Sequence, residues 1–104
     1  MRIISQDGAI DVAYENADLE RKGTIISVWT LDNVYDSFAS YSTEEKAMKA
    51  MEMCREQYAQ CEINKHLIQK AADNLEGVSI TFTGEVRNQL ADKYLFQFPA
   101  DDEI

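Results

Sequence analysis

The chain is poor in the residues that carry most catalytic chemistry. It has one histidine, two cysteines, one proline and four glycines. His66 has no Ser-Gly or Cys-Gly nucleophile motif to serve as base, and it reads as a helix-surface residue. The glycines are too scattered to build a phosphate-cradling loop. On a helix, Cys54 and Cys61 would share a face but lie roughly 10 Å apart along the axis, too far for a mutual disulfide or one zinc ion. They are read as reduced, packed thiols, as a reducing compartment allows. No apolar run approaches the roughly 20 residues that span a bilayer. The opening MRIISQDG turns polar too early for a signal peptide. These absences set the expectation of a cytoplasmic protein that is not an enzyme. No catalytic, cofactor-binding or metal-ligating residue is assigned.

Positive charge is scarce as well. Ten Lys and Arg face 19 Asp and Glu, for a net charge of −9 on 104 residues. Such a surface repels DNA, RNA and anionic lipid, and it attracts proteins with a basic face. Hydrophobic residues make up 45% and charged residues 28%, which is globular rather than disordered composition. With so little proline and glycine for linkers, residues 1–104 are expected to form a single domain.

Strand signals come first along the chain. Residues 1–5 carry Ile3 and Ile4, and Gln6-Asp7-Gly8 supplies a hairpin turn. Residues 9–14 then place Ile10, Val12 and Tyr14 on one face, with Asp11 and Ala13 on the other. Residues 15–23 are polar and read as a loop. Residues 24–31 (TIISVWTL) form the strongest strand signal, and within it Trp29 is expected to be buried under the helix. Asp32-Asn33 is a turn, and residues 34–41 return as a strand. Residues 78–83, with Val78, Ile80 and Phe82 inward, and residues 94–98 are two further expected strands.

Between them the period becomes helical. Residues 42–76 contain neither glycine nor proline, and Ser42 with Glu45 matches a capping box. Ala47, Met51, Cys54, Tyr58, Cys61, Ile68, Ala72 and Leu75 repeat at 4,3 spacing, broken only by Lys65, and Gly77 stands at the expected C-cap. One helix of this length would reach roughly 50 Å, against an expected radius of gyration of roughly 13 Å. Two helices broken near residues 61–65 are therefore expected, and one long helix would instead argue for a homodimer covering its far end. The fold class is α+β: an antiparallel sheet with this helical segment packed on one face.

Candidate contact residues follow from charge. On the helix, Glu45, Glu52, Glu56 and Glu62 alternate with Lys46, Lys49 and Arg55, the pattern of a solvated helix face. Less compensated acids lie at Asp7, Asp11, Glu15, Asp18 and Glu20, and in the tail at Asp101, Asp102 and Glu103. If the first and last strands lie together, these eight make one negative patch for a basic protein. Met48 and Met53, flanking the apolar stripe, are the alternative interface, because methionine makes adaptable contact surfaces.

Three blocks, MRIISQDG with AIDVAYE, then YSTEEKAMKAMEMCREQY, and finally FQFPADDEI, resemble small uncharacterised acidic proteins encoded by phages, prophages and mobile elements of Gram-positive bacteria. The resemblance covers residues 1–15, 41–58 and 95–104. It implies an origin and a bacterial host cytosol, and it brings no catalytic residues. By analogy of charge and origin, it implies an inhibitor of a host defence nuclease or another nucleic-acid-handling protein, as anti-CRISPR proteins are, acting on a basic surface. The alternative is a structural or regulatory module of the mobile element that self-associates.

Overall fold

The computed structural model describes residues 1–74 and 95–104, with the backbone alone described for 68–74. Among the described residues, the strands β1 (Arg2–Ile4), β2 (Asp11–Ala13), β3 (Asp18–Lys22), β4 (Ile25–Trp29), β5 (Val34–Ser40) and β6 (Leu95–Gln97) accompany one α-helix, α1 (Glu44–Asn74), and two single 3-10 turns at Tyr14–Asn16 and Asp101–Glu103. The fold class is α+β. The strands form two three-stranded sheets, ordered β2-β1-β6 and β3-β4-β5. All pairings are antiparallel except β1 with β6, which run parallel, Ile3 opposite Phe96. A parallel pair needs a long crossover, and here most of the chain supplies it. The first and last strands thus lie together, as the charge argument required.

The hairpin β1–β2 forms as its sequence predicts, with Arg2 opposite Ala13 and Ile4 opposite Asp11. Gly8 takes φ +78° in the turn, a backbone conformation that favours glycine. Asp7 closes the turn by accepting from the Ser5 hydroxyl and the Ala9 N–H. Strand β3 corrects the expectation of a loop over residues 15–23. Four of its five residues are charged, which hides the strand by composition. Among the described residues β3 pairs with β4 alone, and solvent receives every second side chain, Asp18, Glu20 and Lys22. Its inward Leu19 packs on the core, and Arg21 reaches Glu44 at the start of α1 across 2.8 Å.

The helix is continuous over 31 residues, about 46 Å at ~1.5 Å per residue. The break expected near residues 61–65 is absent: nothing in the sequence there interrupts the i→i−4 ladder, and chain compactness alone is no helix breaker. The radius of gyration is accordingly 16.4 Å, above the roughly 13 Å of a compact chain this long. Ala47, Ala50, Cys54 and Cys61 are buried, with Met51 and Tyr58 packed beside them. Gly77 and the expected strand 78–83 lie outside the described residues.

One core joins both sheets to the helix. Ile3 from the first sheet, Ile26, Val28 and Phe38 from the second, and Phe98 beyond β6 are all fully buried with the helix stripe. Phe98 meets Phe38 edge-on at 5.6 Å and Phe96 at 5.1 Å, the favoured geometry for aromatic pairs. Gln6 ties the sheets together. Its N–H donates to the Phe38 carbonyl at 3.0 Å, its Oε1 accepts from the Ser40 N–H at 3.0 Å, and its Nε2 donates to the Pro99 carbonyl at 3.2 Å.

Trp29 is the main correction in the fold. It is 44% exposed rather than buried under the helix. Strand alternation is the cause: with Ile26 and Val28 facing the core, Ile25, Ser27 and Trp29 must face the other way. The size of the indole does not decide its side.

Candidate interaction surface

The eight acids predicted to form one patch divide into two groups. Asp7 is held in the first turn, and hydrogen bonds from Ser5 and then Ala9 keep its carboxyl below the usual carboxylate range. Asp11 pairs with Arg2 at 2.8 Å, and Glu15 pairs with the terminal ammonium of Met1. That ammonium's hydrogen bond holds the Glu15 carboxyl below its usual range. Asp101 accepts the Ser42 N–H at 2.6 Å and meets Lys46 Nζ at 3.3 Å through Oδ2. The Ser42 bonds, from backbone and hydroxyl, are the main cause that lowers its pKa, with Lys46 adding to it. Each of these four acids has a partner inside the chain.

The tail is therefore docked at Asp101, although the sequence reads that residue as one of the less compensated acids. The Tyr41 hydroxyl donates to the Pro99 carbonyl at 2.9 Å, and burial, with Asp101 and Glu103 nearby, pushes that phenol up to about 12. A carboxylate at the first turn of α1 also suits the positive end of the helix dipole. The cap itself shifts by one residue from the prediction: Thr43 Oγ1, not Ser42, accepts the N–H three residues on, from Lys46 at 3.2 Å. Ser42 instead donates to Asp101, so Glu45 is not part of a capping box.

Four predicted acids stay on the surface: Asp18, Glu20, Asp102 and Glu103. Glu20 has Lys22 at 3.7 Å, while the other three have no ion pair among the described residues. Asp18 belongs to a face that the sequence reading did not single out. In β3-β4-β5, Trp29 lies between Asp18 on β3 and Val34 on β5, all three exposed. The turn after Trp29 is closed by Thr30, whose N–H and hydroxyl both donate to the Asn33 carbonyl, and it holds Leu31 completely exposed at 102%. Asp32 in that turn and Asp36 on β5 are exposed as well and carry no ion pair among the described residues. The signal lies in residues 24–31, where Ile26 and Val28 alternate with Ile25, Trp29 and Leu31 and put an apolar set on each side.

The alternative interface is less one-sided. Met48 is 51% exposed and Met53 is half-buried. Met48 lines a shallow concavity of about 650 Å³ between α1 and Arg21, together with Glu45, Lys49, Glu52 and Arg55. Its charges nearly balance, so the groove favours neither a basic nor an acidic partner.

The cysteines are buried and form no disulfide with each other: burial pushes the Cys54 thiol up to about 12 and raises Cys61 too. His66 is exposed on the helix surface. Among the described residues, no three His, Cys, Asp or Glu side chains converge to hold a metal ion, and no helix is long and apolar enough to cross a membrane. Compared with protein families, with curated proteins and with solved structures, the chain finds no match.

Proposed function

We propose that the protein is a non-enzymatic binding protein that inhibits a nucleic-acid-handling host protein by occupying its basic surface. The observation that carries this reading is the placement of the unpaired acids. Arg2, Arg21, Lys46 and the terminal ammonium each engage an acid that organises the fold. Asp18, Asp32, Asp36, Asp102 and Glu103 remain in solvent with no cation paired to them among the described residues. Their field attracts a basic partner over roughly a Debye length, about 10 Å at moderate salt. The resemblance to proteins of phages and mobile elements supports a defence nuclease as the target, in the manner of anti-CRISPR proteins. Co-purification from bacterial lysate at low and high salt tests this. A basic nucleic-acid-binding protein should be retained at low salt and released at high salt, and its nuclease or binding activity should fall when this protein is added. Retention of no such protein, or retention without loss of activity, overturns the reading.

A second reading, self-association, is favoured by the unbroken helix. Ile63 and Leu67 on its far half are 53% and 58% exposed, and a second copy laid along them would cover both. Sedimentation at tens of micromolar decides it: a dimer that Leu67→Asp dissociates supports this reading, and a monomer removes it.

A further inference from the structure

We propose that the outer face of the β3-β4-β5 sheet around Trp29 is the docking surface, and that its partner is a protein offering an apolar pocket bordered by arginine or lysine. This rests on the binding function proposed above and names the site that performs it. Exposed apolar residues scattered singly are ordinary, but here they converge. Trp29 and Val34 are cross-strand partners, Leu31 stands in the turn that joins their strands, and Ile25 is 39% exposed on the same face as Trp29. Tryptophan is the residue most enriched where binding energy concentrates, provided that its surroundings exclude water on contact.

Charge selects the occupant. Asp18 lies directly across from Trp29, and Asp32 and Asp36 flank the turn and strand that carry Leu31 and Val34. Lys22, at the other end of β3 from Asp18, lies beside Glu20 at 3.7 Å. A second copy placed on this face by two-fold symmetry would set the same acidic patch on both sides of the interface, like charge facing like. Nucleic acid and anionic lipid are repelled for the same reason. A basic protein gains long-range attraction from the acid rim and apolar burial at the centre. The groove beside Met48 offers no such selection, because Lys49 and Arg55 offset Glu45 and Glu52 there.

Photocrosslinking in living bacteria tests the surface. Benzoylphenylalanine is placed at Leu31 in one strain and at exposed Glu56 on the helix in another, and crosslinked chains are identified by mass spectrometry. The protein captured from Leu31 is then purified and titrated against wild type, Trp29→Ala, Leu31→Asp and the triple variant Asp18→Asn, Asp32→Asn, Asp36→Asn. The proposal expects a basic protein crosslinked from Leu31 and not from Glu56. Trp29→Ala should raise Kd at least about 30-fold, with an almost unchanged salt dependence. The triple variant should instead slow association about tenfold at low salt and flatten its salt dependence. Trp29→Phe, which retains an aromatic ring, should lose less than Trp29→Ala, and unchanged circular dichroism shows that each variant folds. Capture from Glu56 alone refutes this face but leaves the binding function standing. Capture of a second copy of the chain from Leu31 overturns the proposal, as does a Kd within twofold for both Trp29→Ala and Leu31→Asp. No capture from either position, together with no salt-releasable partner in lysate, removes the binding function as well.

Discussion

In the β2-β1-β6 sheet and the tail that follows it, Asp7, Asp11, Glu15 and Asp101 each find a partner inside the chain. In and around the β3-β4-β5 sheet, Asp18, Asp32 and Asp36 find no cation among the described residues. The aromatics divide in the same way. Phe98, after the terminal strand, is 1% exposed between Phe38 and Phe96, whereas Trp29 on the second sheet is 44% exposed. Apart from Asp102 and Glu103, which stay in solvent beside Asp101, the same residue types therefore find partners in one region and stay available in the other. Net charge cannot distinguish these roles, since each carboxylate counts as −1 wherever it stands. Their partners do.

The sharpest way to break this comparison is to truncate one aromatic on each side. Phe98→Ala should cost about 3–5 kcal/mol, because it empties a fully enclosed site and removes two edge-on ring contacts. Trp29→Ala should change stability by no more than about 1 kcal/mol, as a partly exposed ring on an open face loses little burial. Urea unfolding of both variants reads the difference. If the order were reversed, Trp29 would be a structural residue and the open face would not be free to bind. Next in size is Gln6→Ala. It leaves the Ser40 N–H without its acceptor and the Pro99 carbonyl with the Tyr41 hydroxyl alone, at about 1–3 kcal/mol if water cannot replace it. Gln6→Glu keeps the oxygen that serves Ser40 and loses the donor to Pro99, so it should cost less than Gln6→Ala, with the tail still held through Tyr41 and Asp101.

Much of the α+β architecture was legible in the sequence, because period and breakers carried it. The Asp7-Gly8 turn, the alternation in residues 9–14 and the glycine-free run from residue 42 each led to the right element. What failed had a physical reason in each case. Strand β3 is hidden in the sequence because Glu20, Arg21 and Lys22 are charged, and a strand with one solvent-facing side can carry charge there without loss. Trp29 was placed inside by size, although the alternation of Ile26 and Val28 already put it on the opposite face. The docking of Asp101 depends on a contact 59 positions away in sequence, and no local pattern reports such a distance. For the candidate surface, charge sign and origin could be read, but which acids stay unpaired emerges only when the chain folds.

The helix start sharpens the comparison at a smaller scale. Thr43→Ala should cost about 1 kcal/mol, since it removes the acceptor for the Lys46 N–H. Thr43→Ser should recover most of that loss. Ser42→Ala should cost less than Thr43→Ala, because the Ser42 main-chain N–H still donates to Asp101. Equal losses at both positions would mean that the Ser42 hydroxyl, and not the backbone, holds the tail to the helix.

The smallest expected effect concerns acid, and it separates the two sets of carboxylates by thermodynamic linkage. Asp101 and Glu15 have folded-state pKa values below their ordinary values of 3.8 and 4.5. A depressed carboxyl stabilises the folded state fully when pH is above its unfolded pKa, and that contribution is lost as pH falls through the folded value. Stability should therefore hold from neutral pH to about 5 and then decline below about 4.5, even as protonation relieves the chain's self-repulsion. Both carboxyls are largely solvent-exposed, which keeps each contribution small. Asp101→Asn should make the acid decline shallower and lower stability at pH 7, because the amide is a weaker partner for the Ser42 N–H and for Lys46. Neutralising Asp18, Asp32 and Asp36 together should leave stability at pH 7 unchanged or slightly higher, as it removes only like-charge repulsion. Thermal unfolding of the two variants at pH 7 checks both expectations in one series. A loss from the triple neutralisation as large as that from Asp101→Asn would mean that the open sheet's acids also support the fold, and the division between holding and binding carboxylates would fail.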